Sequence, residues 1–213
     1  MNPFKQEDYW NKLAPVKKFT TSFDLKLLEA FVSKSSKIVD YGCGYGRSLS
    51  QLYDAGYQNI LGFDFSKAMV QRGMNEFPHL KMEIVEGNHT NCPSASVDMV
   101  ILFALLTCLV DDEQQERVMA EVKRILKPGG LVYVNDFLLN SDDRNRERYL
   151  RFAEKYGTYG VFELADGGIL RHHDENYLNQ LMKTFKREYF KKTTFTTMNG
   201  HQSNGFVMVA RKE

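Results

Sequence analysis

Between Lys37 and Phe137, five short apolar runs alternate with stretches whose apolar residues recur at helical spacing. The runs are KIVDY, NILGFD, MEIVEG, VDMVILF and LVYVNDF. They are nearly continuous in apolar residues, as strands buried on both faces must be. Helical signals stand between most of them. Leu49, Leu52 and Tyr53 mark a first helix with Gly56 as its stop. Ser66 caps a second helix that carries Met69, Val70 and Gly73. Asp112 and Gln115 have the spacing of a capping box for a third, with Val118, Val122 and Ile125 as its stripe and KPGG as its end. The order strand, helix, strand, helix, strand, strand, helix, strand predicts an α/β fold, a parallel sheet covered by helices on both faces.

The flanks are less regular. Leu25, Leu28 and Val32 predict a helical lead-in over residues 1–36. After Asp136 comes the polar, helix-prone NSDDRNRERYLRFAEKYG, then a glycine-rich stretch with a hairpin at ADGG. Asp174 is placed to cap a helix bearing Leu178, Leu181, Met182 and Phe185. KREYFKKTTFTTM and NGFVMVARK then read as a closing strand pair. No linker divides the chain, so residues 1–213 are expected to form one domain: lead-in 1–36, core 37–137, and insertion with closing strands 138–213.

Charge and cysteine usage narrow the function classes. Twenty-eight basic and 27 acidic residues leave a net charge of +1, too weak a field to favour nucleic acid as a partner. Cys43, Cys92 and Cys108 are widely spaced and odd in number, which points to neither a disulfide framework nor a metal site. The opening MNPFKQEDYWNK lacks the apolar core of a signal peptide, and the apolar run Met99–Val110 is too short to span a bilayer. The expectation is a reduced, soluble, cytoplasmic protein with no membrane partner.

The stretch IVDYGCGYGR joins the first strand to the first helix. Glycines there let a ligand approach the backbone, and the helix N-terminus behind them favours an anionic group. Asp64 ends the next strand, 18 residues after Gly46, where a carboxylate accepts hydrogen bonds from both hydroxyls of a ribose. Together these features predict an adenosine-containing cofactor. The dinucleotide fingerprint G-x-G-x-x-G/A fails in either register, because its last position falls on Arg47 or Leu49. No G-x-x-x-x-G-K-[ST] occurs either.

VDYGCGYGR resembles the first motif of class I S-adenosylmethionine (SAM)-dependent methyltransferases of the small-molecule type (type 11/25-like). GFDFSKAMV is similar to their second motif, EGNHTNCP to the loop after their third strand, and the region from VDMVILF through LKPGG to LVYVNDF to their fourth and fifth strands. The resemblance covers roughly residues 36–137. It implies a Rossmann-like, doubly wound seven-stranded sheet of order 3-2-1-4-5-7-6 with strand 7 antiparallel. It also implies SAM as cofactor and S-adenosylhomocysteine as product. The methionine part of SAM would lie over Gly42, Cys43, Gly44 and Gly46, with its amino group oriented by Asp40. Arg47 would pair with its carboxylate or remain a solvated helix-face residue. Asp64 would hold the ribose, Phe65 and Met69 would line the adenine or simply pack the helix, and Asn88 and His89 would flank it. Phe103 and Ala104 would lie beside the sulfonium.

The resemblance also implies a contrast on the acceptor side: family members that methylate planar nitrogens carry Asn-Pro-Pro-Tyr after the fourth strand, and this chain has FALLTC there. Asp136, His172 and His173 are candidate catalytic groups, since a histidine pair beside Arg171 offers a base near neutral pH or an anion contact. Tyr156, Tyr159, Glu163 and Arg171 are candidate substrate contacts. Tyr9, Trp10, Lys18, Phe19 and Thr20 form a lid or pack on the sheet edge. The expectation is methyl transfer to a small molecule. An NAD(P)-dependent oxidoreductase and a non-catalytic SAM-binding module are the alternatives. The acceptor atom and the oligomeric state are not encoded in these motifs.

Overall fold

The structure, a computed structural model, describes residues 6–213; the first five residues of the lead-in lie outside it. The core is a seven-stranded sheet built from β1 (Ile38–Tyr41), β2 (Ile60–Asp64), β3 (Met82–Ile84), β4 (Val97–Phe103), β5 (Leu126–Phe137), β8 (Phe185–Thr196) and β9 (Gln202–Lys212). Its order is β3-β2-β1-β4-β5-β9-β8, with β1 to β5 parallel and β9 antiparallel to both β5 and β8. This is the expected topology. The last two strands carry higher numbers because a two-stranded ribbon, β6 (Val161–Glu163) and β7 (Ile169–Arg171), is inserted before them at the ADGG turn.

Period-2 alternation along the strands divides the core between two faces. Val39, Tyr41, Val100, Leu102, Val132 and Val134 pack one face with Val118, Val122 and Ile125 of α5 (Asp112–Ile125) and Leu178 of α7 (Glu175–Leu181). Ile38, Met99, Ile101, Leu131 and Tyr133 pack the other with Leu49 and Leu52 of α3 (Arg47–Asp54), Val70 of α4 (Lys67–Glu76), and Leu28. The bulky Leu49 fits close to the sheet because β2 supplies the small residue. A Cβ on Gly62 would lie 2.5 Å from Leu49 Cδ1 and 2.7 Å from Cys43 Sγ.

Three local expectations shift. The lead-in forms two short helices, α1 (Glu7–Leu13) and α2 (Leu25–Glu29), so Val32 falls beyond the second. Asp111, not Asp112, caps α5, accepting from the Gln114 N–H at 2.8 Å. The KPGG link is a bulge within β5: Val97 pairs with Leu126 but Met99 with Leu131. Ser66 and Asp174 cap α4 and α7 as read. Among the described residues no helix is long and apolar enough to cross a membrane, and no group of three or more His, Cys, Asp or Glu could hold a metal.

Candidate active site

The parallel strands all end at one edge, and β1 there turns into the glycine loop. The N–H groups of Gly42 and Cys43 both donate to the Phe63 carbonyl, at 2.7 and 3.0 Å. The turn is tight enough to put Gly42, Gly44 and Gly46 at φ of +85°, +56° and +84°, a region costly for any other residue. Gly44 meets a further constraint, since a Cβ there would lie 2.7 Å from the Phe19 ring.

Two carboxylates close under this loop. Asp40 is fully buried; one oxygen takes the Ser48 hydroxyl, and the other, Oδ1, has no partner. Burial pushes its pKa up to about 7, against the opposing effects of the Ser48 bond and the Arg47 charge, with the nearby Asp64 adding to the rise. Arg47 Nε is likewise buried and unpartnered, and its guanidinium lies 5.0 Å from the Phe103 ring centre. Asp64 accepts from the Gly44 N–H at 2.8 Å on one oxygen and the Ser66 N–H at 2.9 Å on the other, which leaves a further acceptor site on each. Burial raises its pKa to about 6, opposed by those two bonds.

Two cavities of 460 Å³ meet at Gly42, Asp64, Phe65, Leu105 and Cys108. The first runs from Gly42–Gly44 and Arg47 past Met69, Phe103 and Ala104 to the inserted segment. Ala104 has a φ of +53°, an uncommon, strained value for alanine, at the end of β4 where that passage begins. The second is lined by Val85, Asn88, Leu109 and neighbours. An orphan donor on Arg47 and paired acceptor sites on Asp64 fit the carboxylate and adjacent hydroxyls of a nucleoside-linked amino acid; Asp40 is fully buried and lines neither cavity, so its orphan acceptor could serve an ammonium only through water. The second cavity fits its base.

Several expected site residues stand elsewhere. His89 lines neither cavity. Its ring is 72% exposed and lies 3.1 Å from Glu121, whose carboxylate Thr90 and Arg124 hold in place. Asp136 is fully buried and turned away, accepting from the Thr107 and Phe137 N–H groups at 3.2 and 2.8 Å; burial raises its pKa to about 7. His173 is buried between Gln115 Nε2, at 2.9 Å, and the Phe137 carbonyl, at 3.3 Å, and burial pushes its pKa down to about 3. Arg171 is buried against Tyr177 and donates to Val110 and Asp112. Tyr156 is committed to Glu163 at 2.6 Å, and Tyr159 is exposed. None of these six lines the first cavity.

His172 and Glu163 do line it. Glu163 is paired with Lys155. The tautomer of His172 follows from its neighbours. Asn140 Oδ1 accepts from the Asn204 N–H at 2.8 Å, which fixes the amide and turns its Nδ2 donor to His172 Nδ1 at 3.1 Å. The Tyr149 hydroxyl lies 2.6 Å from the same nitrogen. Nδ1 is therefore the acceptor and the ring proton sits on Nε2. Burial, with the Arg148 charge, holds His172 neutral, well below the usual imidazole range. Neither nitrogen has a free lone pair, so the base role expected of His172 is not available to this arrangement.

The lining also includes groups the sequence reading passed over. One face of α6 (Asp143–Tyr156) brings Arg144, Arg148 and Arg151, and the β8–β9 turn brings Thr197, Met198 and Asn199. The 4 and 3 spacing of the three arginines was the available signal. From the lead-in, Trp10, Phe19 and Thr20 line the cavity, while Lys18 is exposed. Tyr9 instead ties α1 to Asp166 of the inserted hairpin at 3.0 Å.

Residues 38–130 match the family described as "Methyltransferase domain". Mouse eEF1A lysine and N-terminal methyltransferase is 28% identical over 145 residues, which cover 60% of this chain and 21% of that protein. The chain thus spans about a fifth of that relative's length. A SAM-dependent methyltransferase structure from Methanosarcina mazei aligns with a TM-score of 0.84 at 24% identity, over 90% of this chain and 98% of that one. A Burkholderia thailandensis 1,6-didemethyltoxoflavin-N1-methyltransferase, solved with 1,6-didemethyltoxoflavin and S-adenosylhomocysteine, aligns at 0.63 and 16% identity, over 88% and 75%. Sheet order, glycine loop and family match define a Rossmann-like methyltransferase domain. Residues 38–130 thus match a methyltransferase-domain family, and the fold is that of class I SAM-dependent methyltransferases, for which SAM is the cofactor.

Proposed function

We propose that this chain catalyses methyl transfer from SAM to a small-molecule acceptor, with release of S-adenosylhomocysteine. The observation that carries the reading is one continuous cavity. The same space is lined by Gly42, Gly44 and Asp64 of the cofactor loop and by Arg148, Phe162 and His172 of the insertion. Its 460 Å³ falls in the range of small-molecule sites.

Bound SAM supplies a methyl group already activated on a sulfonium. The chain's residues have then to bind, orient and dehydrate. Arg47 would hold the carboxylate and Asp64 the ribose hydroxyls, and the buried Asp40 would orient the ammonium through water. Val85 and Asn88 border the base. Phe103 and Ala104 flank the passage between cofactor loop and acceptor wall. Trp10, Phe19 and Phe162 exclude water from it. With no free base on His172, alignment of an acceptor lone pair is the main contribution. A lysine acceptor, suggested by the name of the mouse relative, is disfavoured because Arg144, Arg148 and Arg151 would repel its ammonium.

Incubation with methyl-labelled SAM and a cell extract, followed by size fractionation, tests this. Label is expected in the small-molecule fraction and absent with Asp64→Ala. Label confined to protein, or none while S-adenosylhomocysteine binds, contradicts it.

A further inference from the structure

We propose that the acceptor carries a carboxylate or phosphate on a flat apolar body, and that Arg148, its α6 neighbours and His172 hold the anionic group. This deepens the small-molecule reading and rests on it.

Arg144, Arg148 and Arg151 follow one another along one face of α6 and border the cavity. Arg148 is the innermost. Its guanidinium lies 3.4 Å from the centre of the Phe162 ring, and its Nε is buried with no hydrogen-bond partner. Among the described residues, neither Arg148 nor Arg151 has a carboxylate within 4 Å, and Arg144 has only Asp142 at 3.9 Å. Arg148 is half-buried, and a partly desolvated guanidinium without a counter-charge is costly. Burial accordingly lowers the pKa of Arg148 from its ordinary value. The arrangement makes sense when an anion completes it.

The remaining polar groups agree. Of the two acids on this side, Glu163 is already bound to Lys155 and Tyr156, which leaves Glu147 against three guanidinium groups. His172, with its proton on Nε2, adds a neutral donor rather than an acceptor. Asn140 and Tyr149, both buried behind the ring, act as positioning residues by fixing that tautomer. The apolar part of the wall is Phe19, Phe103, Phe137, Leu170 and Met198. Phe137 stacks on His172 with ring centres 5.5 Å apart, so donor and aromatic surface adjoin. Anchoring one end by charge and the body by flat contact would leave the other end toward Phe103, Ala104 and the methyl group.

The test uses the full chain saturated with S-adenosylhomocysteine, whose own affinity is titrated first and so checks the parent reading separately. Four probes are followed by fluorine NMR line broadening: 4-fluorobenzoate, 4-fluorophenyl phosphate, 4-fluorobenzamide and 4-fluorobenzylamine. At least one anionic probe is expected to bind about tenfold tighter than the amide, as a charge-assisted bidentate contact implies. The benzylamine is expected not to bind. The two anionic arms separate carboxylate from phosphate. Arg148→Met should remove the preference while leaving S-adenosylhomocysteine affinity unchanged, and the solvent-exposed Arg151→Met should reduce it. Equal binding of amide and anions, tighter binding of the amine, or a preference that survives both substitutions overturns the proposal.

Discussion

The orphan oxygen of Asp40 makes cofactor affinity depend on pH. Burial raises the Asp40 pKa to about 7, so the carboxylate proposed to orient the cofactor's ammonium is mostly protonated in mildly acidic solution. About a tenth of it is ionised at pH 6 and about three quarters at pH 7.5, while the ammonium stays charged over that range. If only the ionised form pairs, S-adenosylhomocysteine binding tightens about eightfold from pH 6 to pH 7.5, with proton release. Asp64, raised to about 6, adds about twofold over the same interval. Asp40→Asn keeps the shape and removes the charge. It should bind more weakly than wild type at both pH values, with a gap about eightfold wider at pH 7.5 than at pH 6, and retain only the twofold slope of Asp64. Isothermal titration of S-adenosylhomocysteine in half-unit steps measures this. A wild-type affinity that changes less than twofold, or an Asp40→Asn slope as steep as wild type, refutes the assignment of Asp40 to the ammonium.

Asp64→Ala should weaken S-adenosylhomocysteine by about 10- to 100-fold, the loss of charge-assisted hydrogen bonds, and titration reads it directly. Asp136 is also raised to about 7 by burial. Its stabilising contribution, full below the unfolded pKa near 4, is therefore lost as pH rises to about 7; melting temperature should fall over that window in the wild type and fall less in Asp136→Asn. Gly62→Ala places a Cβ 2.5 Å from Leu49 Cδ1 and should cost about 1–3 kcal/mol in urea unfolding; an unchanged midpoint would show that α3 does not press on β2. His172→Gln should leave the pH dependence of kcat without a lost limb near neutrality. A limb that disappears with the substitution would restore a base role to His172.

The cofactor half of the site was legible because its determinants are local. A strand, three glycines and a carboxylate at the next strand end lie in fixed relation once the strands are parallel. Arg47 and Leu49 ruled out the dinucleotide fingerprint, and Gly62 on the neighbouring strand makes room for the bulky Leu49. The acceptor half was less legible because tertiary placement decides it. Arg171, His172 and His173 are consecutive, yet only His172 lines the cavity, as the alternation of extended backbone continuing past the end of β7 would place it. Asp136 sits at the right strand end but spends its carboxylate on the turn at Thr107. The arginines of α6 lie in a stretch legible only as polar and helix-prone, and the β8–β9 turn is far from the loop in sequence. Both reach the cavity only through the packing of the insertion and the last strand pair over the sheet edge.

The measurement that tests the central claim most directly is a crystal structure of the chain with S-adenosylhomocysteine. The amino nitrogen is expected over the glycine loop, linked to Asp40 through a water, with the ribose hydroxyls on Asp64, the base between Val85 and Asn88, and the sulfur facing Phe103 and Ala104. A ligand bound with its base toward α6, or away from the glycine loop altogether, would contradict the account.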